Sequence, residues 1–413
     1  YRKILKSNPN CLSEDFYDQN IPEKDMFLYW SPKTADFYEV QSIVEFLRRK
    51  YPQAIHVAGG THIDYNQEEC VKVFDAIIVG PGERTMLQII DNHIGGYLKQ
   101  VYQDEWKHVH YKDFTFARRD FLPRETIVTD LFEKYGHPDS TCVLFSRGCP
   151  YRCSFCVYNT PNTLQVRQDV EAEINYLKNE YGISAINLKD EVCIGHSVKI
   201  YTPFLESVGN CGIMWRGQTI VGVPESLLDL AKESGCVELV LGVESVVQNV
   251  LDSINKRQTV KQCEETIEYL SKIGIKSRAN IIFGLPNEPE DIVDKTIEFI
   301  ERNKLDYVSV SGLCPVPGSD MYANPSKYGI RVIDKNWDRH AHLMFRYGDD
   351  EDHGLPFHFE KGFKQEEIIN NMEGFSWKHQ KFNALSVPEY SAGFTWIKNA
   401  DNQEILNGPF PKY

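Results

Sequence analysis

Three closely spaced cysteines constrain the fold of this chain more than any other feature. Cys149, Cys153 and Cys156 are spaced as Cys-x3-Cys-x2-Cys and follow an apolar run at 143–145, which predicts a buried strand that ends at Ser146. This spacing lets one loop fold its sulfur atoms around a single centre. A zinc site normally needs a fourth Cys or His from a second paired motif, and the sequence has no second pair. Three thiolates instead suit a 4Fe-4S cluster with one iron left open to a substrate or cofactor.

The cysteine loop resembles that of the radical S-adenosylmethionine (SAM) superfamily. The resemblance rests on the spacing, on the aromatic Phe155 just before the last cysteine, and on the strand in front. In that family the open iron is chelated by the amino and carboxylate groups of SAM. An electron from the cluster then cleaves SAM to a 5'-deoxyadenosyl radical. The alternative is a chance group of structural cysteines.

Composition narrows the class of protein. The chain has 413 residues and a net charge of -14, which argues against broad nucleic-acid binding because that depends on basic surface. It has no apolar stretch of about 18 residues, so no membrane helix is predicted, and it shows no secretory pattern at its start. Eleven dispersed cysteines do not form a disulfide framework. Together with an oxygen-sensitive cluster, they indicate a reducing, cytoplasmic setting.

Alternating strands and helices predict an open (β/α)6 partial barrel over 139–325. Strands are expected near 142–146, 184–188, 213–218, 237–242, 278–283 and 307–313. Helices are expected at 168–180, at 260–273 and from Glu288-Pro289 onward. In barrels the chemistry lies at the C-terminal ends of the strands, and the informative residues do follow those ends.

The resemblance implies that residues at these strand ends bind SAM. Carboxylates after the second strand would accept hydrogen bonds from its ammonium group, and polar groups on the third would contact its ribose or carboxylate. The motifs Gly-x-Glu-Ser, Gly-Leu-Pro and Pro-x-Pro-Gly-Ser follow the last three strands, and the first of them continues with Leu251 and Lys256, as in the pattern of the family. The implied SAM-binding residues are Asp190, Glu191, Arg216, Gln218, Gly242, Glu244, Ser245, Ile282, Gly284 and Pro315. The alternative makes Arg216 an ion-pair partner on the rim, and Asp190 and Glu191 solvated loop charges.

Strands that alternate with helices over residues 1–95 predict a Rossmann-like, doubly wound domain with glycine-rich loops after its strands. In this order the loops resemble the cobalamin-binding domain of one large radical SAM subfamily, where they contact the nucleotide tail and ring edge of cobalamin. The residues implied by that resemblance are Gly59, Gly60, Thr61, His62, Gly80, Gly82 and Glu83. The domain is short between Pro9 and Met26, and the sequence has no Asp-x-His-x-x-Gly motif to ligate cobalt. A relic that binds no cobalamin, with His62 as a turn histidine, is the alternative.

The other segments are less informative. Residues 96–138 are expected to form a linker, and 326–413 a C-terminal α+β cap that shapes the substrate pocket. Cys193 and Cys314 follow the second and sixth barrel strands. There a thiol could donate a hydrogen atom or a proton to a substrate intermediate, although such cysteines are more often small buried hydrophobic residues.

Three functional hypotheses follow from these patterns. The first is cobalamin-dependent methyl transfer to an unactivated carbon, driven by radical SAM cleavage. The second is the same radical chemistry without cobalamin, giving a rearrangement, cyclisation or oxidation. The third is a non-catalytic iron–sulfur or zinc protein. For the enzyme hypotheses we expect a small-molecule or peptide substrate, an external electron donor such as flavodoxin or ferredoxin, and no nucleic-acid or membrane partner.

Overall fold

The computed structural model describes residues 21–30, 34–157, 165–167, 169–332, 335–337, 340, 357–359, 371, 396–398 and 404–406. The chain divides into two compact units. We call residues 1–109, 154–159 and 312–368 the N-terminal unit, and residues 110–153, 160–311 and 369–413 the barrel unit. The sequence assigned 312–325 to the radical domain, whereas by contacts these residues group with the N-terminal unit.

The N-terminal unit contains a four-stranded parallel sheet. Its strands are β1 (Met26–Trp30), β2 (Ile55–Gly59), β3 (Ala76–Val79) and β4 (Val101–Gln103), which neighbour one another in that order. The helices between them are α1 (Phe37–Lys50), α2 (Thr61–Tyr65), α3 (Gln67–Cys70) and α4 (Gly82–Ile94). The order of these strands does not reverse. Residues 1–20 lie outside the described residues, so a doubly wound layout stays a prediction.

Both faces of this sheet are covered. One face packs Ala58 and Ile77 against Phe37 and Val44 of α1 and Ile63 of α2, so alternate strand residues supply the contacts. The opposite face packs its own buried strand residues, Val57, Ala76 and Ile78, against Ile89 of α4. Helices on both faces leave the carboxyl edge of the sheet to the loops that follow β1, β2 and β3.

The barrel unit is built on a six-stranded sheet. Its strands are β5 (Ser140–Val143), β8 (Ala185–Leu188), β9 (Met214–Thr219), β10 (Cys236–Glu244), β11 (Lys276–Phe283) and β12 (Tyr307–Gly312), in the spatial order β12-β11-β10-β9-β8-β5. The pairs from β5 to β11 are parallel. The main helices between them are α6 (Val170–Tyr181), α7 (Val198–Asn210), α8 (Glu225–Glu233), α9 (Gln248–Ser253), α10 (Val260–Ile273) and α11 (Ile292–Asn303), after a short α5 (Arg124–Ile127). The α/β architecture predicted from the sequence is confirmed.

Two predicted boundaries were wrong. The strand expected at 142–146 ends at Val143, and a separate short strand, β6 (Ser146–Arg147), pairs antiparallel with β7 (Gln165–Val166). The helix expected from Glu288-Pro289 begins at Ile292. Before this helix, the carboxyl group of Glu288 accepts a hydrogen bond of 2.8 Å from the amide of Gly284.

The linker predicted at 96–138 packs in part within the barrel unit. The guanidinium of Arg119 donates to the buried carboxylate of Glu173 on α6 at 2.9 Å, and also to the carbonyl of Cys142 at 3.3 Å. Phe132 is fully buried. Residues just before β5 therefore belong structurally to the barrel.

The C-terminal part is described only in pieces. Beyond a short α12 (Asp320–Ala323), β13 (Ile330–Val332) pairs antiparallel with β14 (Phe357–Phe359), and β15 (Trp396–Lys398) with β16 (Glu404–Leu406). Most of the cap expected at 326–413 lies outside the described residues. Among the helices that the structure describes, none is long and apolar enough to cross a membrane.

Candidate functional site

Asp190 anchors the start of the cysteine loop to the barrel sheet. Its buried carboxylate accepts hydrogen bonds from the amide and the hydroxyl of Ser146, and one of 3.4 Å from the amide of Phe145. Burial raises the pKa of Asp190 to about 6, although these hydrogen bonds act in the opposite direction. The sequence predicted a contact between Asp190 and SAM. In the structure its carboxylate already holds the chain where the cysteine loop begins.

The next residues of the loop are held by backbone geometry and by a second strand-end loop. Gly148 has φ +106°, which only glycine adopts readily, and its amide donates to Glu191 at 3.3 Å. The guanidinium of Arg152 donates to the carbonyl of Cys149 at 2.8 Å, and the carbonyl of Arg152 accepts from the amide group of Asn255 at 2.6 Å. Glu191 therefore acts on the loop that carries the cysteines, as Asp190 does.

The three predicted cluster ligands differ in exposure. Cys153 is buried, Cys149 is half-buried and Cys156 is exposed. Burial raises the pKa of the Cys149 and Cys153 thiols, so iron must displace protons to bind them as thiolates. Within the described residues, no three Cys, His, Asp or Glu side chains converge on a point for one metal ion. A 4Fe-4S cluster does not need such convergence because each cysteine binds a different iron, and a trio of thiols fits it chemically.

A buried ion pair forms the carboxyl end of β10. Lys256 Nζ lies 2.8 Å from Glu244 Oε1, and both side chains are nearly buried. Glu244 has φ +65°, in the left-handed region that few non-glycine residues occupy, after a register shift in the strand. A Cβ on Gly242 would lie 2.7 Å from Lys256 Nζ, so this glycine makes room for the pair. Gly242, Glu244 and Lys256, which the family motif predicted, are brought together.

Gln258 was missed by the sequence analysis. Its side-chain amide donates to the carbonyls of Gly242 and Val243 at 3.0 and 3.1 Å, which pairs the last acceptors of β10. Ser245 caps the same turn, because its hydroxyl accepts from the amide of Val247 at 3.3 Å. A lone glutamine just before a helix gives no sequence signal for such a role.

Arg216 lies in a buried charge network inside the barrel unit. Its Nε donates to Asn187 at 3.2 Å, and its guanidinium lies 3.7 Å from the carboxylate of Glu238. Glu238 is also paired with Arg278 at 2.9 Å and with Lys134 at 3.1 Å. Burial alone would raise the pKa of Glu238, but the three cations hold it near 2. Arg216 therefore has an ion-pair partner, as in the alternative interpretation, but it is buried rather than on the rim, and its contact with SAM stays a prediction. Gln218, two residues later, is exposed.

The Gly-Leu-Pro loop after β11 contains a buried acid. Gly284 has φ +88° and donates its amide to Glu288, while Ile282 is buried just before it. Burial raises the pKa of Glu288 to about 8, against two backbone hydrogen bonds. Glu288 is therefore mostly protonated at neutral pH, and it was not among the predicted site residues.

The two cysteines considered as hydrogen donors are both buried. A Cβ on Gly217 would lie 2.7 Å from Cys193 Sγ, and burial raises the pKa of the Cys193 thiol well above its usual value. Cys314 is 2% exposed, next to the buried Pro315. Cys193 has the packing of a small hydrophobic residue, so its catalytic role stays an unsupported prediction.

The carboxyl edge of the four-stranded sheet is covered by an indole ring. A Cβ on Gly59 would lie 3.1 Å from Trp30 Cζ3, and one on Gly82 would lie 2.4 Å from Trp30 Cη2. Gly80, at φ +85°, donates its amide to Asp64 at 2.8 Å. The predicted cobalamin loops therefore do meet at this edge, and Trp30, which was not among the predicted site residues, rests on them.

His62 is buried and cannot act as an exposed ligand. Its ring lies 4.3 Å from that of Phe37 and 5.3 Å from that of Trp337, centroid to centroid. Burial, and then the nearby His340, lower the pKa of His62 to about 4, so the ring is neutral. The turn-histidine alternative describes this geometry. Gly60, at φ +123°, and the half-buried Thr61 begin α2 beside it, and Glu83 lies in the first turn of α4.

Part of the chain matches a known protein family. Residues 143–300 match the family model described as Radical SAM superfamily. The chain is 25% identical to an uncharacterised methyltransferase of Pyrococcus horikoshii, over 75% of this chain and 71% of that one. It is 23% identical to the bacteriochlorophyllide d C-8(2)-methyltransferase of Chlorobaculum tepidum, over 80% and 74% of the two chains.

A solved structure shares the fold. The radical SAM methyltransferase TsrM from Kitasatospora setae, solved with cobalamin and a [4Fe-4S] cluster bound, matches with a TM-score of 0.68 at 16% identity. The match covers 90% of this chain and 83% of that one. The 4Fe-4S cluster and SAM are the cofactors of the matched family. Residues 143–300 are therefore a radical SAM domain of an enzyme, and the relatives of the chain fit the cobalamin-binding subfamily that the sequence predicts.

Proposed function

We propose that this enzyme transfers a methyl group to an unactivated carbon in a reaction that depends on cobalamin. When bound, the cluster and SAM would supply the radical that removes hydrogen from the substrate, and cobalamin would supply the methyl group. SAM would thus serve both as oxidant and as methyl source. The protein would bind and orient these groups and exclude water.

The observation that carries the proposal is the fixed cysteine loop at the carboxyl edge of the barrel sheet. The loop is tied to the β8 end by Asp190 and Glu191, and to the turn after α9 by Asn255. The Glu244–Lys256 pair follows the end of β10, within the same unit. Charged groups fixed before any ligand arrives favour binding of a zwitterion such as the methionine moiety of SAM, because little reorganisation is needed.

Individual residues then have definite tasks. Cys149, Cys153 and Cys156 would hold the cluster. Glu244 lies two residues after Gly242, the glycine that makes room for Lys256, and would accept a hydrogen bond from SAM. Lys256 would hold the carboxylate of Glu244 in place. Exposed Gln218 offers an amide to the ribose or carboxylate of SAM.

Support for cobalamin comes from the relatives and from the N-terminal edge. The two curated relatives are named methyltransferases, and the structural neighbour was solved with cobalamin. The edge of the four-stranded sheet offers glycine backbone and an exposed indole, a surface that fits a flat cofactor. With His62 buried, a cobalamin bound here would take no cobalt ligand from that residue.

A second candidate is radical chemistry without cobalamin. It is favoured by the burial of His62 and by the short stretch between Pro9 and Met26. In either case we expect a small-molecule or peptide substrate, an external donor such as flavodoxin or ferredoxin, and a reducing, cytoplasmic setting that preserves the cluster.

The test compares two cysteine variants after anaerobic reconstitution with iron and sulfide. Cys153→Ala is expected to lose most bound iron and to reduce release of 5'-deoxyadenosine from SAM to background. Cys142→Ala, on β5 just before the loop, is the matched control and is expected to keep both. Equal SAM cleavage by Cys153→Ala and the wild type would refute the radical assignment of this loop.

A further inference from the structure

Trp30 presents a flat aromatic surface at the carboxyl edge of the four-stranded sheet. It is the last residue of β1 and pairs in register with Gly59 at the end of β2. Its side chain crosses β2 and reaches the first residue of α4, Gly82. Ligands bind at this edge in open parallel sheets.

The two glycines are needed to seat the ring. A Cβ on Gly82 would lie 2.4 and 2.6 Å from two carbons of the indole, and one on Gly59 would lie 3.1 Å from a third. Distances under 3 Å are impossible without movement, so any other residue at 82 would push the ring away. The glycine loops that the sequence assigned to cofactor approach are therefore already in contact with the six-membered ring of Trp30.

The rest of the ring faces solvent. Trp30 is 63% exposed, although Gly59 and Gly82 beneath it are buried. A tryptophan that served packing alone would bury most of its surface, because its large apolar area is the source of its stabilising effect. An exposed indole ring that rests on two buried glycines is instead suited to stack with a planar aromatic group.

We infer that Trp30 stacks against the benzimidazole base of cobalamin. The inference rests on the proposed function, because it takes cobalamin as the ligand of this edge. Of the groups in that cofactor, the base of the nucleotide tail is the planar aromatic one. Trp30 is thus a binding residue that determines whether the nucleotide tail is held.

The experiment measures binding rather than turnover. Aquocobalamin and dicyanocobinamide, which lacks the nucleotide tail, are titrated into the anaerobic full-length protein, and bound ligand is followed by absorbance after equilibrium dialysis. Trp30→Ala is expected to weaken aquocobalamin binding by about tenfold or more, as loss of one stacking partner does. Trp30→Phe is expected to keep most of the affinity, and cobinamide binding is expected to change little in either variant.

A matched control uses another exposed ring of the same unit. Tyr97 is 61% exposed and also rests on a glycine, Gly95, but it lies beyond the C-terminal end of α4, away from the glycine loops. Tyr97→Ala is expected to bind aquocobalamin like the wild type. Iron content and far-ultraviolet circular dichroism check that each variant is folded.

Two outcomes would overturn the stacking role alone. Wild-type affinity in Trp30→Ala would show that the ring makes no contribution, and tighter binding would show that it blocks the site. If the wild type itself binds no cobalamin, both the stacking role and the cobalamin part of the proposed function fail. The wild-type titration therefore distinguishes failure of the stacking role alone from failure of the proposed function.

Discussion

At the carboxyl edge of the barrel sheet the loops are held by buried charge, whereas at the same edge of the four-stranded sheet they are held by glycine and one indole ring. Asp190 and the Glu244–Lys256 pair place carboxylates and a cation at the barrel edge. Glu288 adds a buried carboxyl group there that is mostly protonated at neutral pH. At the other edge, among the residues that the structure describes, the amide of Gly80 donates to the carboxylate of Asp64.

This difference between the two edges indicates which kind of ligand each of them can bind. Buried charges are costly to hold without partners, so an edge built from them fixes its geometry tightly and suits a small charged ligand. An edge of glycine backbone and an aromatic ring selects by shape and suits a large flat ligand. Substitutions at the barrel edge should therefore cost more than substitutions at the N-terminal edge.

The largest effect is expected at the Glu244–Lys256 pair. Lys256→Met leaves the nearly buried carboxylate of Glu244 without its cation, which should lower the free energy of unfolding by about 3 kcal/mol. Glu244→Gln with Lys256→Met should cost less than Lys256→Met alone, since both charges are gone. Chemical denaturation of the apoprotein measures both. Lys261→Met, which breaks the exposed pair with Glu265, is the control and should cost below about 0.5 kcal/mol.

Removal of the Asp190 carboxylate should have the next largest effect. Asp190→Ala leaves the amide and hydroxyl of Ser146 without their acceptor in a buried position, which should cost about 2 kcal/mol and reduce iron uptake. Asp190→Asn should fall between Asp190→Ala and the wild type. Unchanged iron uptake in Asp190→Ala would show that the cysteine loop is held by other contacts.

The buried carboxyl group of Glu288 should make the free energy of unfolding depend on pH. Its folded pKa of about 8 lies above the usual value of 4.5, so the folded state holds a proton that the unfolded state has released between these values. Stability from this group is therefore lost as pH rises from 4.5 to 8. Between pH 6 and 7 the unfolding free energy of the wild type should fall relative to Glu288→Gln by up to about 1.4 kcal/mol. Glu298→Gln, on the exposed side of α11, should show no such trend.

The smallest effect is expected at Asp64. Burial raises the pKa of Asp64 to about 6, so ionisation of this side chain adds little to the stability of the fold. In Asp64→Asn the amide oxygen can still accept the hydrogen bond from the amide of Gly80. This variant should unfold within about 0.5 kcal/mol of the wild type. A loss as large as that of Asp190→Ala would remove the contrast between the two edges.

Hydrophobic periodicity predicted several strands and helices of the barrel unit well, because their buried residues recur at regular intervals in the sequence. The helix expected at 260–273 has the observed bounds Val260–Ile273, and its start is fixed by a capping box between Thr259 and Gln262. The strand expected at 184–188 is observed as Ala185–Leu188. Local patterns of this kind are visible in sequence.

Partners that come from distant elements were not predictable. Glu238 and Arg278 are buried inside β10 and β11, at positions where polarity alone would indicate exposure, and they form an ion pair with each other between neighbouring strands. Gln258 and Trp30 likewise act on residues of other loops. The family motifs named Glu244 and Lys256, but only the fold shows that Gly242 makes room for them.

The central claim is tested most directly by the products that one reconstituted sample makes from SAM. The protein is loaded anaerobically with iron, sulfide and cobalamin and then reduced, and 5'-deoxyadenosine and S-adenosylhomocysteine are quantified with and without cobalamin. The account predicts both products, with S-adenosylhomocysteine only when cobalamin is bound. Release of 5'-deoxyadenosine alone, unaffected by cobalamin, would contradict methyl transfer and favour radical chemistry that proceeds without it.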